Sequence, residues 1–368
     1  MKAIFNGYYG VKNSGDDAFV EVSAWGAQKY WESTEQFFFA KDLPKTITPT
    51  TFYPPHKNHF NFAKAVKDVF LSDVFASAGG STFHSALKKT DLRTYAKLKK
   101  KLGFSGKTGA IGISLGPFRN TEAEKNTIAY LKTLDFLALR DEYSFKLAQS
   151  YNLPYQPVKA FDLAALMPEI YQFNKSSITT KPQKIVGISI CNYESYTGGN
   201  LAKEANRNQF IESLIGKLKI HKNILFRFFI FNGNDIMGDE KLTFEIINRL
   251  NITNDLNFEV IPYLPKVQDM FLKIAECDAV VSTRLHASIF ACYSNTPFFL
   301  LEYHRKCTDF LNDVGQAKQY LLGDGEIAPQ EIAKEIENIV FDQNIQQPLY
   351  IAETIERARL NFTQTYTL

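Results

Sequence analysis

Short apolar runs alternate with longer stretches of helical period along most of this chain, and few architectures accept that rhythm. "KAIFNG" gives way to "DDAFVEVSAWGAQKYW", "DVFASAGG" to "STFHSALKK", "GAIGISLG" to "TEAEKNTIAYLKTL", and "DFLALR" to "DEYSFKLAQS". Parallel strands need a crossover between them, usually a helix, and strands buried on both faces read as continuous apolar runs. The alternation therefore predicts an α/β fold of parallel sheets covered on both faces. Thr121 and Glu124 have the spacing of a capping box at the start of one of the helices.

The rhythm lapses in "FNKSSITTKPQ" (Phe173 to Gln183) and resumes with "IVGISIC", "ILFRFFIFNG", "NFEVIPY" and "DAVVS". Two α/β domains follow, residues 1–178 and 179–345. The helical stretch "YIAETIERARLNFTQ" in residues 346–368 is expected to pack back on the first. A chain of 368 residues, 45% hydrophobic, is long and apolar enough for two such cores. A net charge of +3 is too small to indicate a nucleic-acid protein, although it suits an anionic substrate or a membrane surface.

"MKAIFNGYYG" reads directly into a strand rather than a signal peptide, and no run approaches the ~18 apolar residues of a spanning helix. Cys191, Cys277, Cys292 and Cys307 show no CxxC spacing, which points to reduced structural thiols and a cytoplasmic protein.

Several familiar motifs fail. "GKT" at Gly106 to Thr108 precedes a strand, where a P-loop follows one, and Lys101 occupies the required upstream glycine position. No GxGxxG opens either domain, so a nicotinamide or flavin cofactor is not expected. "HKNH" at His56 to His59 has no acidic or cysteine partner and reads as a surface loop, so no metal is expected. The basic run "KKTDLRTYAKLKKKLGFSGK" is either a solvated helix or a contact for anionic lipid headgroups or a diphosphate-linked acceptor.

"DAVVSTRLHASIF" carries the sharpest signal. Its strand "DAVVS" ends at Ser282 and Thr283 follows, either suited to cap a helix whose first turn holds Arg284, Leu285 and His286. A cation at the positive end of a helix dipole is unfavourable unless an anion is present. Phosphate and carboxylate bind there readily, and arginine adds a two-pronged fork. The alternative is that Arg284 pairs with a structural carboxylate while His286 is a satisfied, partly buried histidine. Other strand ends repeat the pattern. Arg140 closes "DFLALR" before a helix beginning at Asp141. Asp16 and Asp17 open a helix after the loop holding Asn13, Ser14 and Gly15, with Asp16 a candidate cap. Gly79, Gly80 and Ser81 end a further strand. Together they favour a functional cleft, placed at the domain interface.

These segments resemble the polysaccharide pyruvyl transferase family. "GYYGVKNSGDDAF" is similar to its glycine-rich opening, "ALRDEYS" to its R-D-x-x-S element, "STRLHASIFACYSNTPFF" to its S-x-R-L-H signature, and "EYHRKCTDF" to the aromatic-x-x-K segment that follows. The resemblance runs from about Phe5 to Phe310. It implies two Rossmann-like domains facing across a cleft, as in GT-B glycosyltransferases, with the acceptor on the first domain and the donor on the second. The implied reaction moves pyruvate from phosphoenolpyruvate onto two hydroxyls of one sugar, giving a cyclic ketal and phosphate, with no cofactor. Carried over, the donor-binding residues are Arg140, Arg284, Leu285 and His286, with Lys306 adding positive charge near the phosphate. His286 is the candidate general acid or base, and Asp16 or Asp17 the group that deprotonates an attacking hydroxyl. The implied acceptor is a surface-polysaccharide unit on a lipid diphosphate, met at the inner membrane face by peripheral contact.

A nucleotide-sugar glycosyltransferase of GT-B architecture is the main rival. Many retaining members carry a ribose-binding glutamate seven residues before the proline that here is Pro297, and Phe290 stands in that place, where it accepts no hydrogen bond. A non-catalytic saccharide-binding protein is a third reading, and would not need arginine and histidine grouped at a helix start.

Overall fold

A computed structural model of the chain describes residues 1–40, 42–53, 59–84, 87–88, 90–177, 183–250, 257–317, 320–322, 328–342 and 345–366. Two compact units result, one of Met1–Val11, Asp16–Ile170 and Ala352–Leu368, the other of Lys12–Gly15 and Tyr171–Ile351.

Among the described residues the first unit holds seven parallel strands: β1 (Lys2–Tyr9), β2 (Glu35–Ala40), β3 (Thr51–Tyr53), β4 (Val74–Gly80), β5 (Lys107–Ile113), β6 (Phe136–Leu139) and β7 (Val158–Lys159). Their order is β3-β2-β1-β4-β5-β6-β7. The connecting helices are α1 (Ser14–Tyr30), α2 (His59–Leu71), α3 (Leu92–Lys101), α4 (Thr121–Leu131), α5 (Glu142–Gln149) and α6 (Met167–Tyr171). Central strands such as β4 are buried at almost every position, so side chains of both faces are covered, as the unbroken apolar runs require.

The second unit repeats the plan with six parallel strands among the described residues: β8 (Lys184–Ser189), β9 (Ile224–Phe229), β10 (Asn257–Ile261), β11 (Ala279–Ser282), β12 (Phe298–Leu301) and β13 (Leu321–Leu322). Their order, β10-β9-β8-β11-β12-β13, is the doubly wound 3-2-1-4-5-6 arrangement. Its helices are α7 (Glu194–Thr197), α8 (Leu201–Leu218), α9 (Glu240–Arg249), α10 (Val267–Ala275), α11 (Leu285–Tyr293), α12 (Arg305–Val314) and α13 (Pro329–Asp342). In both sheets the winding reverses beside the first strand, at β1/β4 and at β8/β11, and ligands of open α/β sheets bind beyond the carboxyl ends of strands at such points.

The expected boundary between residues 178 and 179 lies outside the described residues. The observed division falls between Ile170 and Tyr171, because the rings of Tyr171 and Phe173 pack on Phe271 of α10 at 5.5 and 5.1 Å. Lys175 continues the attachment, its Nζ donating to the carbonyl of Ala275 and to Thr296 Oγ1. Lys12–Gly15 also leave the first domain's span. The Ser14 amide donates to the Phe231 carbonyl at 3.0 Å and the Gly233 amide to the Lys12 carbonyl at 2.8 Å.

The last helix, α14 (Ile351–Thr363), completes the first unit. Trp31 Nε1 donates to the Phe362 carbonyl, and the fully buried Asn361 accepts from the Gly112 amide and donates to the Phe161 carbonyl. A Cβ on Gly26 of α1 would lie 2.2 Å from the Phe362 ring, so glycine there permits the close approach of the two helices.

Two local expectations shift. The cap of α4 is Asn120, whose Oδ1 accepts from the Ala123 amide at 2.8 Å, one residue ahead of the Thr121–Glu124 box. The histidine-containing stretch at residues 56–58 lies outside the described residues. The four cysteines are buried free thiols, and burial pushes Cys191, Cys277 and Cys307 up to about 12, far from reactive thiolates. No helix among the described residues is long and apolar enough to cross a membrane.

Candidate functional site

In the second unit the strand β11 ends at Ser282 and the helix α11 begins at Leu285. α11 is buried at every position but His286, so its apolar sequence "LHASIFACY" is the physical reason it lies inside the unit. Neither Ser282 nor Thr283 caps it. Ser282 Oγ donates to the Arg284 carbonyl at 3.1 Å and pairs with Ser288 Oγ at 2.7 Å, while Arg284 occupies the cap position with extended backbone and no side-chain cap. The first-turn amides of α11 therefore have no capping side chain, the condition under which a helix start receives an anion.

Arg284 is already paired. Its Nε lies 3.1 Å from both carboxylate oxygens of Asp239, and its Nη2 bonds the same group. Asp239 is 1% exposed and also accepts from the Asn232 amide at 2.9 Å. Burial raises the Asp239 carboxyl above its ordinary pKa, against the pull of Arg284 and the amide bond. The structural-carboxylate alternative is thus realised on one edge of the guanidinium. The other edge differs: Nη1 makes no hydrogen bond to a described residue, and the side chain is 20% exposed. Asp239 orients a fork whose outer tooth is uncommitted.

The loop Lys12–Gly15 closes over the same strand ends. Asn13 forms an antiparallel bridge with Asn232, and its Oδ1 accepts from the Gly15 amide at 3.1 Å, which makes Asn13 the cap of α1. Asp16 is therefore a first-turn residue and not the cap. Asp16 is half-buried and Asp17 is 1% exposed, both favourably placed for the helix dipole. Gly15 lies directly against His286: a Cβ added there would sit 2.4 Å from the imidazole Nδ1. Two sequence elements more than 250 residues apart meet at that point. Three buried hydroxyls, Ser14, Ser189 and Thr283, have no hydrogen-bond partner among the described residues. They stand just at or past the adjacent strand ends of β9, β8 and β11, and the Thr283 amide donates to the Ser189 carbonyl at 2.7 Å.

The segment after β12 adds polar groups. His304 caps α12 through Nδ1, which accepts from the Lys306 amide at 3.2 Å, and the Lys306 side chain is half-buried. Tyr303 packs on Tyr193 with ring centroids 4.7 Å apart and the planes tilted; burial pushes its phenol pKa up, and the charge of Arg284 pulls it back. A cavity of about 560 Å³ lies beside Asp239, lined among others by Asn192, Tyr196, Asn234, Asp235 and Glu240. No predicted site residue lines it, and its carboxylates would repel an anionic donor.

The first unit carries the remaining predictions. Arg140 is 6% exposed, with Nη1 2.6 Å from Asp162 Oδ2 and Nε 2.6 Å from Ser114 Oγ. Ser114 donates to Asp141, which caps α5 by accepting from the Ser144 amide. Ser144 Oγ in turn accepts from the Leu115 amide. The R-D-x-x-S element is thus a closed structural network, with only Nη2 of Arg140 lacking a hydrogen bond to a described residue. Gly79 and Gly80 end β4 at φ +74° and +75°, and a Cβ on Gly79 would meet the Phe19 ring at 2.3 Å. Ser81 follows, its hydroxyl without a partner among the described residues. Sequence reasoning does not find Asp239, Asp162 or Ser189, since nothing in their local pattern distinguishes them from ordinary loop and strand residues.

The profile of one family, described as polysaccharide pyruvyl transferase, matches residues 13–305. No curated protein matches the chain. Among solved structures, a UDP-GlcNAc 2-epimerase from Methanocaldococcus jannaschii aligns over 98% of this chain and 98% of its own, at TM-score 0.57 and 13% identity. The UDP-GlcNAc 2-epimerase from Neisseria meningitidis, bound to UDP-GlcNAc, aligns over 97% and 98%, at 0.57 and 15%. A lipopolysaccharide outer core galactosyltransferase aligns over 99% and 98%, at 0.52 and 15%. At these identities the likeness concerns the fold, that of the GT-B glycosyltransferases and epimerases.

Proposed function

This chain belongs to the polysaccharide pyruvyl transferase family, and from that premise we propose that it moves pyruvate from phosphoenolpyruvate onto two hydroxyls of one sugar in a surface-polysaccharide precursor. The observation that carries the reading is the packing of Gly15 on His286 beside the uncapped start of α11. Phosphoenolpyruvate presents a phosphate and a carboxylate. The α11 amides, the Nη1 edge of Arg284, unbonded among the described residues, and the hydroxyls of Ser14, Ser189 and Thr283 offer it donors at neighbouring strand ends.

Protonation at C3 of the donor makes C2 oxocarbenium-like, and the first sugar hydroxyl adds there. Departure of phosphate regenerates a cation at C2, which the second hydroxyl traps as the ketal. Of the two hydroxyl protons lost, one balances the new methyl group and the other leaves with phosphate. His286, half-buried and packed closely against Gly15, is assigned the proton transfer to or from the donor. Asp16 is assigned the hydroxyl proton, since Asp17 at 1% exposure is too enclosed to meet a sugar. Arg140 serves chiefly by holding its own network, and Lys306 adds charge on the donor side. The acceptor is assigned to a lipid-diphosphate-linked unit, so the protein works at a membrane surface. No cofactor is assigned.

The nucleotide-sugar alternative loses further ground at Phe290, which is fully buried and packs edge-on against Phe231 at 5.1 Å. That side chain belongs to the core.

Thermal shift separates the two donors. Millimolar phosphoenolpyruvate is expected to raise Tm while UDP-, GDP- and dTDP-sugars leave it unchanged. Stabilisation by a nucleotide sugar and none by phosphoenolpyruvate would sink the proposal. In a phosphate-release assay with a sugar acceptor, His286→Gln is expected to lose about 10²–10⁴ in kcat.

A further inference from the structure

The basic run of the first unit has an apolar companion that the sequence did not reveal. α3 ends in a full Schellman turn: the Phe104 amide donates to the Lys99 carbonyl and the Gly103 amide to the Lys100 carbonyl, with Gly103 at φ +74°. The turn brings Phe104 against Phe70 of α2 at 5.0 Å, and Lys99 Nζ donates to the Ser72 carbonyl just past α2. The ends of α2 and α3 are thereby fixed as one corner. On that corner Leu71, Leu98, Leu102 and Phe104 are 60%, 40%, 59% and 49% exposed. Leu98 and Leu102 are four residues apart and share a helix face.

Lysines surround them. Lys67, Lys97, Lys100, Lys101 and Lys107 are all exposed. Lys100 pairs with Asp135 at 2.6 Å, whereas Lys67, Lys97, Lys101 and Lys107 form no ion pair among the described residues. Asp73, a further nearby acid, is engaged by the Lys2 amide at 2.7 Å, and Asp68 pairs with Lys2. Lysines at a helix carboxyl end complement its dipole, and that accounts for Lys100 and Lys101. It does not account for four large apolar side chains left in water at the same place.

Position decides between the two occupants the sequence allowed. Lys107 is the first residue of β5, and Ser72 shortly precedes β4, so the corner lies at the amino ends of the strands. Gly79, Gly80, Ser81 and Arg140 stand at the opposite, carboxyl ends. A substrate subsite belongs at those carboxyl ends, so the basic corner is not one. We propose that it is a membrane-docking surface for an anionic bilayer, with the leucines and Phe104 entering the headgroup region and the unpaired lysines meeting lipid phosphates. Docking of this kind does not depend on the transfer reaction.

The test is co-sedimentation of the full chain with phosphatidylcholine vesicles, with and without phosphatidylglycerol. The protein is expected to pellet only with the anionic vesicles, and less as salt rises. Lys97→Glu/Lys101→Glu should weaken that binding by about tenfold or more. Leu98→Ser/Leu102→Ser, both at exposed positions, should weaken it several-fold while an unchanged Tm shows the fold intact. A wild-type chain that stays in the supernatant with anionic vesicles overturns the proposal. So does binding that survives either double substitution undiminished.

Discussion

The guanidinium of Arg284 is clamped edge-on by the carboxylate of Asp239, which is 1% exposed and accepts a further hydrogen bond from the Asn232 amide. One ion pair thus ties the end of β11 to the loop after β9. That loop also receives Lys12 and Asn13. The signature arginine is consequently part of the scaffold as well as a candidate donor ligand.

Asp239→Asn removes the charge against which Arg284 is folded. The variant is expected to lose about 2–3 kcal/mol of stability, because breaking a buried pair strands the remaining charge. Urea unfolding measures the loss. Donor affinity, read by phosphoenolpyruvate-dependent thermal shift, should fall more than for a distant substitution of equal cost.

Gly15→Ala tests the contact with His286. The new methyl group would lie 2.4 Å from Nδ1, so the imidazole or the loop must move. Overpacking of this kind costs about 1–3 kcal/mol. Misplacing a proton-transfer group by about 1 Å costs on the order of 10²-fold in rate. Expected is a folded protein with kcat depressed far more than its Tm, and an unchanged kcat would count against the assignment of His286.

Arg140 answers to a different measurement. With Asp162 and Ser114 both engaged at 2.6 Å, Asp162→Asn should lower stability by about 3 kcal/mol. Ser114→Ala, which removes a neutral partner, should cost about 1–2 kcal/mol. A larger effect on phosphoenolpyruvate binding than on Tm in either variant would show Arg140 acting mainly as a ligand.

Glu204 predicts a pH dependence. Burial alone would raise its carboxyl pKa, but hydrogen bonds from the Ser195 hydroxyl and from the Ser195 and Tyr193 amides outweigh it and hold the group below its ordinary value. A depressed folded pKa means that the carboxylate stabilises the fold fully above its unfolded value, and the contribution disappears as pH falls through the folded one. Glu204→Gln should therefore be less stable than wild type at neutral pH, with the gap narrowing as the pH falls through the depressed folded pKa of Glu204, in a series of denaturant titrations.

Much of the fold is legible in the residues themselves. "VFASAGG" and "FLAL" are buried through consecutive positions because parallel strands between helical layers have no solvent face, and that pattern is written in composition alone. The positions of Arg284, Leu285 and His286 at a helix start are equally readable. What the capping signals do not convey is competition: Ser282 bonds to Ser288, and Asn13 and Asn120 outcompete the neighbouring Asp16 and Thr121 for cap positions.

The sequence by itself determined the local elements and which residues stand at their ends, because hydrophobic period and capping chemistry act over a few residues. Only the tertiary structure decided that Asp239 neutralises one edge of Arg284, that Asp162 does so for Arg140, and that four residues of the opening loop belong with the second sheet. Those outcomes depend on which strand ends become neighbours in the doubly wound order. Charges tens of residues apart pair only after the sheet has brought them within a few ångströms.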